Sequence, residues 1–150
     1  MRRNWLLLTI VLLSFGLFGT YQAEAQSNKK TLILAGYKLT PSVQTSGTGS
    51  LTLTLKNDTL TVEGSFSDLT APYYSSGVYF TREDMAVNQL LKFDADLNEQ
   101  HTGGTFKAEN NRFHLSEALK EMYHNGELSI KIMSSEHKSG EIGIDIPGSS

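Results

Sequence analysis

The side chains of this 150-residue chain that could do chemistry fall into four groups. They are the histidines His101, His114, His124 and His137, the carboxylates Asp94, Asp96 and Glu99, the tyrosines Tyr73, Tyr74 and Tyr79, and the polar run Glu136, His137, Lys138 and Glu141. Imidazoles bind transition metals or move protons. These four are dispersed, however, and the ten-residue interval between His114 and His124 matches no ligand set. Alternating carboxylates in a loop can converge on calcium, yet Asp94, Asp96 and Glu99 lack the glycine and the ligand order of an EF-hand loop. No serine stands in a Gly-x-Ser-x-Gly elbow. Ser46-Gly47-Thr48-Gly49-Ser50 lacks the lysine and following helix of a phosphate loop and reads as a turn leading into Leu51.

An enzyme needs a nucleophile with a base, a paired acid and base, or a metal site. None can be assembled, so the sequence predicts no catalytic residue, no metal and no cofactor. What remains is contact chemistry. Exposed aromatic rings stack on sugars or on partner proteins, and Tyr73 and Tyr74, expected in a loop after Pro72, are the first candidates. Glu136 and His137 join them as part of a polar loop before Gly140-Glu141-Ile142. Tyr79 and Phe80 should point to opposite faces of a strand, placing one of them in the core.

The elements that would position these residues are mostly strands. Leu51, Leu53 and Leu55 alternate with threonines, and Leu60, Val62 and Phe66 continue the alternation beyond Lys56-Asn57-Asp58. This is the pattern of a hairpin with one buried face. Upstream, Thr31 to Leu39 reads as a strand in which Gly36 marks a bulge or a close backbone approach, and Pro41 ends it. Gly77 to Phe80, Leu90 to Phe93 and Gly104 to Lys107 read as further short strands, although Val87 to Leu91 also fits a helical turn. Ser116 caps a short helix through Leu119 and Met122 that Gly126 stops. Leu128 to Ile132 and Ile142 to Ile146 then close the domain as an antiparallel pair. Seven or so short strands point to a sandwich or small barrel.

The first residues carry an export signal. Arg2 and Arg3 precede an uncharged, largely apolar stretch from Trp5 to Phe18, and Ala23-Glu24-Ala25 supplies a small-x-small cleavage site. The stretch is shorter than the roughly 20 residues a membrane-spanning helix needs. Cleavage is therefore expected after Ala25, leaving residues 26–150 as a single domain. With no cysteine, neither a lipid anchor nor a disulfide is expected, as suits a bacterial envelope protein. Removing Arg2, Arg3 and Glu24 from 13 basic and 16 acidic residues leaves 11 and 15, a formal charge of −4. No basic block is present, so nucleic acid is not an expected partner.

In order and spacing, these pieces resemble the CHRD domain, named for its occurrence in chordin and found in secreted bacterial proteins. The resemblance rests on Leu34-x-Gly36, Pro41-x-Val43-x-Thr45, Thr48-Gly49 leading into Leu53-Thr54-Leu55, and Asp58-Thr59-Leu60. In the second half it rests on Gly126 opening a strand and on Gly140-Glu141-Ile142 after a polar loop. Relatives usually carry a His-x-His stretch where this chain has Gly77-Val78-Tyr79, and a His-Thr pair where it has Met133-Ser134. An acidic residue is replaced by Leu39 and an arginine by Gly143. The resemblance implies an immunoglobulin-like antiparallel β-sandwich of Greek-key type, serving as a noncatalytic extracellular or envelope module that binds a protein or glycan. Any metal capacity of the family histidines is not implied here. The competing expectation is a metal-binding protein or metal-dependent enzyme built from dispersed His, Asp and Glu.

Overall fold

The structure, a computed structural model, describes residues 28–82 and 89–149. The leader-like segment, its cleavage point after Ala25 and residues 87 and 88 of the alternative helical turn at 87–91 lie outside the described residues. Threonine-leucine alternation builds the centre of the fold. Strands β2 (Thr48–Lys56) and β3 (Thr59–Ser67) pair from Lys56↔Thr59 to Thr48↔Ser67. The connecting turn is only Asn57-Asp58, with Asn57 at φ 52°, a left-handed conformation that asparagine tolerates. Leu51, Leu53, Leu60 and Val62 thereby share one buried face.

Strand β1 (Asn28–Ala35) pairs with β2 but ends earlier than the apolar run suggests, because Gly36–Lys38 forms a 3-10 turn. The carbonyl of Gly36 accepts the N–H groups of Leu39 and Val43, at 3.2 and 3.0 Å, so the chain folds back on itself. A Cβ at Gly36 would stand 2.3 Å from the Val43 carbonyl oxygen. Of the two readings of this glycine, the close approach is the one the backbone adopts.

The chain continues through β4 (Tyr73–Phe80), β5 (Leu91–Lys92), β6 (Asp96–Leu97), β7 (Gly104–Phe106) and β8 (Arg112–His114). Helix α1 (Glu117–Asn125), β9 (Leu128–Ser134) and β10 (Ile142–Asp145) complete it. Among the described residues the strands form one antiparallel path in the order β5-β4-β9-β10-β1-β2-β3-β7-β6, with β8 also paired to β3. Leu34, Leu51, Leu53 and Val62 from one half meet Val78, Ile130, Ile132 and Ile142 from the other in a single core, so the sheet is curled. The fold is all-β with one short helix, and β9 and β10 pair as expected.

Helix α1 begins and ends as its sequence suggests. Ser116 Oγ accepts the N–H of Leu119 at 3.3 Å, and Gly126 closes the last turn at φ 75°. It is tied to the hairpin turn, because the N–H of Leu115 donates to the Asp58 carbonyl at 2.7 Å and Lys120 lies 2.5 Å from the Asp58 carboxylate. The hydrogen bond and charge of Lys120 hold Asp58 below the usual carboxylate range. Among the described residues no helix is long and apolar enough to cross a membrane.

Candidate functional site

An irregularity in β4 separates the two neighbouring tyrosines. Tyr73 stands opposite Ser134 and Ser75 opposite Met133, so Tyr74 is the extra residue of a β-bulge. Bulges re-aim side chains. Tyr73 turns inward against Phe66, with ring centroids 5.6 Å apart, and its hydroxyl lies 2.8 Å from Ser76 Oγ. Burial raises its phenol above the ordinary value. Tyr74 turns outward and is 59 % exposed, with Lys138 Nζ 5.5 Å from its ring centroid. The expectation of a loop for both residues is corrected: both lie at the start of a strand, and Tyr73 packs against the core. The sequence shows two adjacent tyrosines, whereas the split between them depends on pairing with a strand some sixty residues away.

The same pairing brings the polar loop to Tyr74. The N–H of Ser135 donates to the Pro72 carbonyl at 2.8 Å, which sets Glu136, His137 and Lys138 beside the start of β4. Thus Tyr73, Tyr74, Glu136 and His137 do gather at one end of the sheet.

Next to them runs an open groove of about 590 Å³, lined by Tyr74, Tyr79, Met133, Gln89, Lys92 and Lys138, with Ser75 in its floor. Its construction follows from β4 alternation, because Ser76 and Val78 are buried in the core while Ser75, Gly77 and Tyr79 take the opposite face. Tyr79 pairs with Ser129 and Met133 with Ser75, so their long side chains lean toward each other along the strands. The Tyr79 hydroxyl donates to Met133 Sδ at 3.7 Å. Burial raises the Tyr79 phenol, with a smaller opposing effect from Ser75. Of the pair Tyr79 and Phe80, Tyr79 is the more buried.

Gly77, between Ser75 and Tyr79 on that face, is covered by backbone. A Cβ there would stand 1.9 Å from the Leu91 carbonyl oxygen and 2.6 Å from Gln89 Nε2. Gln89 in turn donates to the Ser76 carbonyl at 2.7 Å. Positions 79 and 133 therefore meet on this one surface beside Gly77, and their tyrosine and methionine make an aromatic floor with a rim of Lys92 and Lys138. Gly77→Ala is expected to force β5 from its place and to cost about 2 kcal/mol, the scale of overpacking a filled site. Urea denaturation would show it as a lowered midpoint, and an unchanged midpoint would mean that β5 yields freely.

A second cluster surrounds Glu141. The sequence groups this residue with the polar loop, but its side chain is fully buried. Its Oε1 accepts from Thr45 Oγ1 at 2.5 Å, from the Thr70 N–H at 2.6 Å and from Thr70 Oγ1 at 3.0 Å. Burial pushes the carboxyl up, yet these bonds together with nearby Ser134 outweigh it and hold the group below its ordinary value. The other oxygen, Oε2, has no hydrogen-bond partner among the described residues. Every donor is neutral, and the cluster is a clamp joining three loops.

The remaining candidates stay apart. His101 occupies a left-handed turn at φ 58°, His114 ends β8, and His124 Nδ1 lies 2.9 Å from Ser149 Oγ at the end of α1. Asp96 pairs with Lys107 at 2.7 Å. The backbone of Asp94 is held by Asn111, a buried amide absent from the sequence-based candidates, which accepts its N–H at 2.8 Å and donates to its carbonyl at 2.9 Å. Among the described residues, no three His, Asp or Glu side chains are grouped so as to hold a metal ion.

The model of the CHRD domain matches residues 30–143, from β1 into β10. The chain belongs to the CHRD domain family. No curated protein and no solved structure matches it. In this CHRD domain the separate motif pieces converge, since the face of Gly36 looks onto Val43, Thr45 and the Glu141 carbonyl within 3.1 Å. The motif pieces Gly36, Val43, Thr45 and Glu141 therefore lie together at the Glu141 clamp.

Proposed function

We propose that residues 1–25 are a cleaved export signal and that residues 26–150 form a noncatalytic binding module of the periplasm or cell surface. In this reading the curled sheet is an immunoglobulin-like sandwich, and a protein or glycan partner is held at the end bearing Tyr74, the groove and the Glu136-His137-Lys138 tip. The observation that carries it is the bulge. It presents Tyr74 to solvent at 59 % exposure beside Lys138, while Tyr73 is turned into the core. A large ring displayed in this way from a rigid strand has the character of an interface anchor. The dispersal of the histidines and the neutral clamp around Glu141 support a noncatalytic role, and the absence of a basic block speaks against nucleic acid.

The two tyrosines should separate in experiment. Tyr74→Ala is expected to reduce binding of the purified protein to envelope preparations of its cell about tenfold, with stability changed by no more than about 0.5 kcal/mol. Tyr73→Ala should instead cost about 2 kcal/mol through lost packing. Binding assays and thermal melts on both variants provide the check, and undiminished binding by Tyr74→Ala would refute the surface.

A further inference from the structure

Resting on the reading just given, the geometry points to an acidic polysaccharide as the occupant of the groove: sugar rings carrying carboxylate or sulfate groups. Three lysines frame it. Lys92 and Lys138 line the groove, and Lys131 Nζ stands 5.9 Å from the Tyr79 ring centroid. None of the three forms an ion pair among the described residues, whereas Lys107 and Lys120 are paired with Asp96, Asp58 and Glu117. On a chain of formal charge −3 this is a local concentration of cations with no internal anion assigned to them. Glu136 is the acidic residue of the adjoining tip.

The rest of the lining fits sugar better than peptide. Tyr74 offers a ring against which the C–H face of a pyranose can stack, and Lys138 above it places a positive charge where a ring substituent would project. Gln89 spends its N–H groups on the Ser76 carbonyl and on Ser75 Oγ at 3.3 Å. Its carbonyl oxygen has no partner among the described residues and can accept from a sugar hydroxyl. The groove is open along the sheet face, which suits a polymer crossing it. An acidic peptide would engage the same lysines but would need neither the exposed ring nor the amide oxygen.

Affinity electrophoresis of the purified protein through gels containing polygalacturonate, heparin, dextran or polyglutamate tests this. Retardation by polygalacturonate or by heparin is expected, the stronger arm identifying carboxylate or sulfate, with none by dextran. Tyr74→Ala should weaken the interaction about tenfold, Lys92→Gln and Lys138→Gln each by a smaller factor, and added salt should weaken it throughout. Retardation by polyglutamate that matches the polysaccharides and ignores Tyr74→Ala would overturn the proposal in favour of a plain cationic patch. So would the absence of retardation by any polymer. In either case, envelope binding that still depends on Tyr74 would leave the contact surface standing with a different occupant, whereas envelope binding that ignores Tyr74 would remove the surface itself.

Discussion

Glu141→Ala is expected to destabilise the protein by about 3 kcal/mol or more and to lower its melting temperature by on the order of 10 °C. The substitution removes one acceptor and strands three donors. The Thr45 hydroxyl, the Thr70 N–H and the Thr70 hydroxyl all converge on the buried Glu141 Oε1, and each would lose its part-buried bond. An unsatisfied buried donor costs about 1–3 kcal/mol. Glu141→Gln keeps an accepting oxygen and should lose roughly half as much. The charge contributes separately. Because the folded carboxyl is held below its ordinary value of 4.5, its contribution is complete above that pH and is lost as pH falls through the folded value. The gap between wild type and Glu141→Gln should therefore narrow in acid. Thermal melts of both variants from neutral pH downward provide the measurement. A Glu141→Ala protein melting within about 2 °C of wild type would mean that the clamp holds nothing.

How the sequence relates to this cluster is instructive. Gly140-Glu141-Ile142 is readable as a family motif, and Ile142 with Ile144 is readable as a strand. Nothing local says that the glutamate faces inward, because its donors lie 96 and 71 positions away, on loops without periodic pattern. The same division holds elsewhere. The β2–β3 hairpin and the ends of α1 are encoded within a few residues, by alternation, Asn57, Ser116 and Gly126, and both are legible. Strands β6 and β8 are two and three residues long and carry too few side chains for a period to show. They exist because β7 and β3 offer edges to pair with. Asn111 reads as an ordinary loop asparagine until the fold buries it against Asp94 and Lys107.

The candidate surface shows the same limit in a sharper form. Tyrosines after a proline were readable as contact residues, and Tyr74 is exposed. The bulge that assigns opposite fates to Tyr73 and Tyr74 is a count of residues across two strands, which no single strand contains. The groove depends on Gly77 in a similar way. Its missing side chain reads as a weak point in a strand, whereas in space it is what allows Leu91 and Gln89 to approach, with Tyr79 and Met133 meeting alongside.

The other large effect expected is alkaline destabilisation through Tyr123. This residue of α1 is fully buried, its hydroxyl has no hydrogen-bond partner among the described residues, and burial pushes its phenol from 10.0 up to about 12. A neutral acid raised on folding is easier to ionise in the unfolded chain. Stability is therefore complete below pH 10 and falls as pH rises through 12, by about 3 kcal/mol for this group. Tyr73 and Tyr79 are shifted the same way and add to the slope. Lys30 acts against it. Its ammonium lies 4.4 Å from the Tyr123 ring centroid and donates to the Pro147 carbonyl, and burial lowers its value, so stability rises as it loses its proton. Tyr123→Phe separates these contributions, since phenylalanine keeps the ring beneath Lys30 and deletes only the hydroxyl. At neutral pH this variant should match or exceed wild type by about 1 kcal/mol, because an unpaired buried polar group is removed. Between pH 10 and 12 it should lose far less stability than wild type. Chemical denaturation at stepped pH gives both numbers, and parallel curves for the two proteins would show that the Tyr123 hydroxyl reaches a partner in solution.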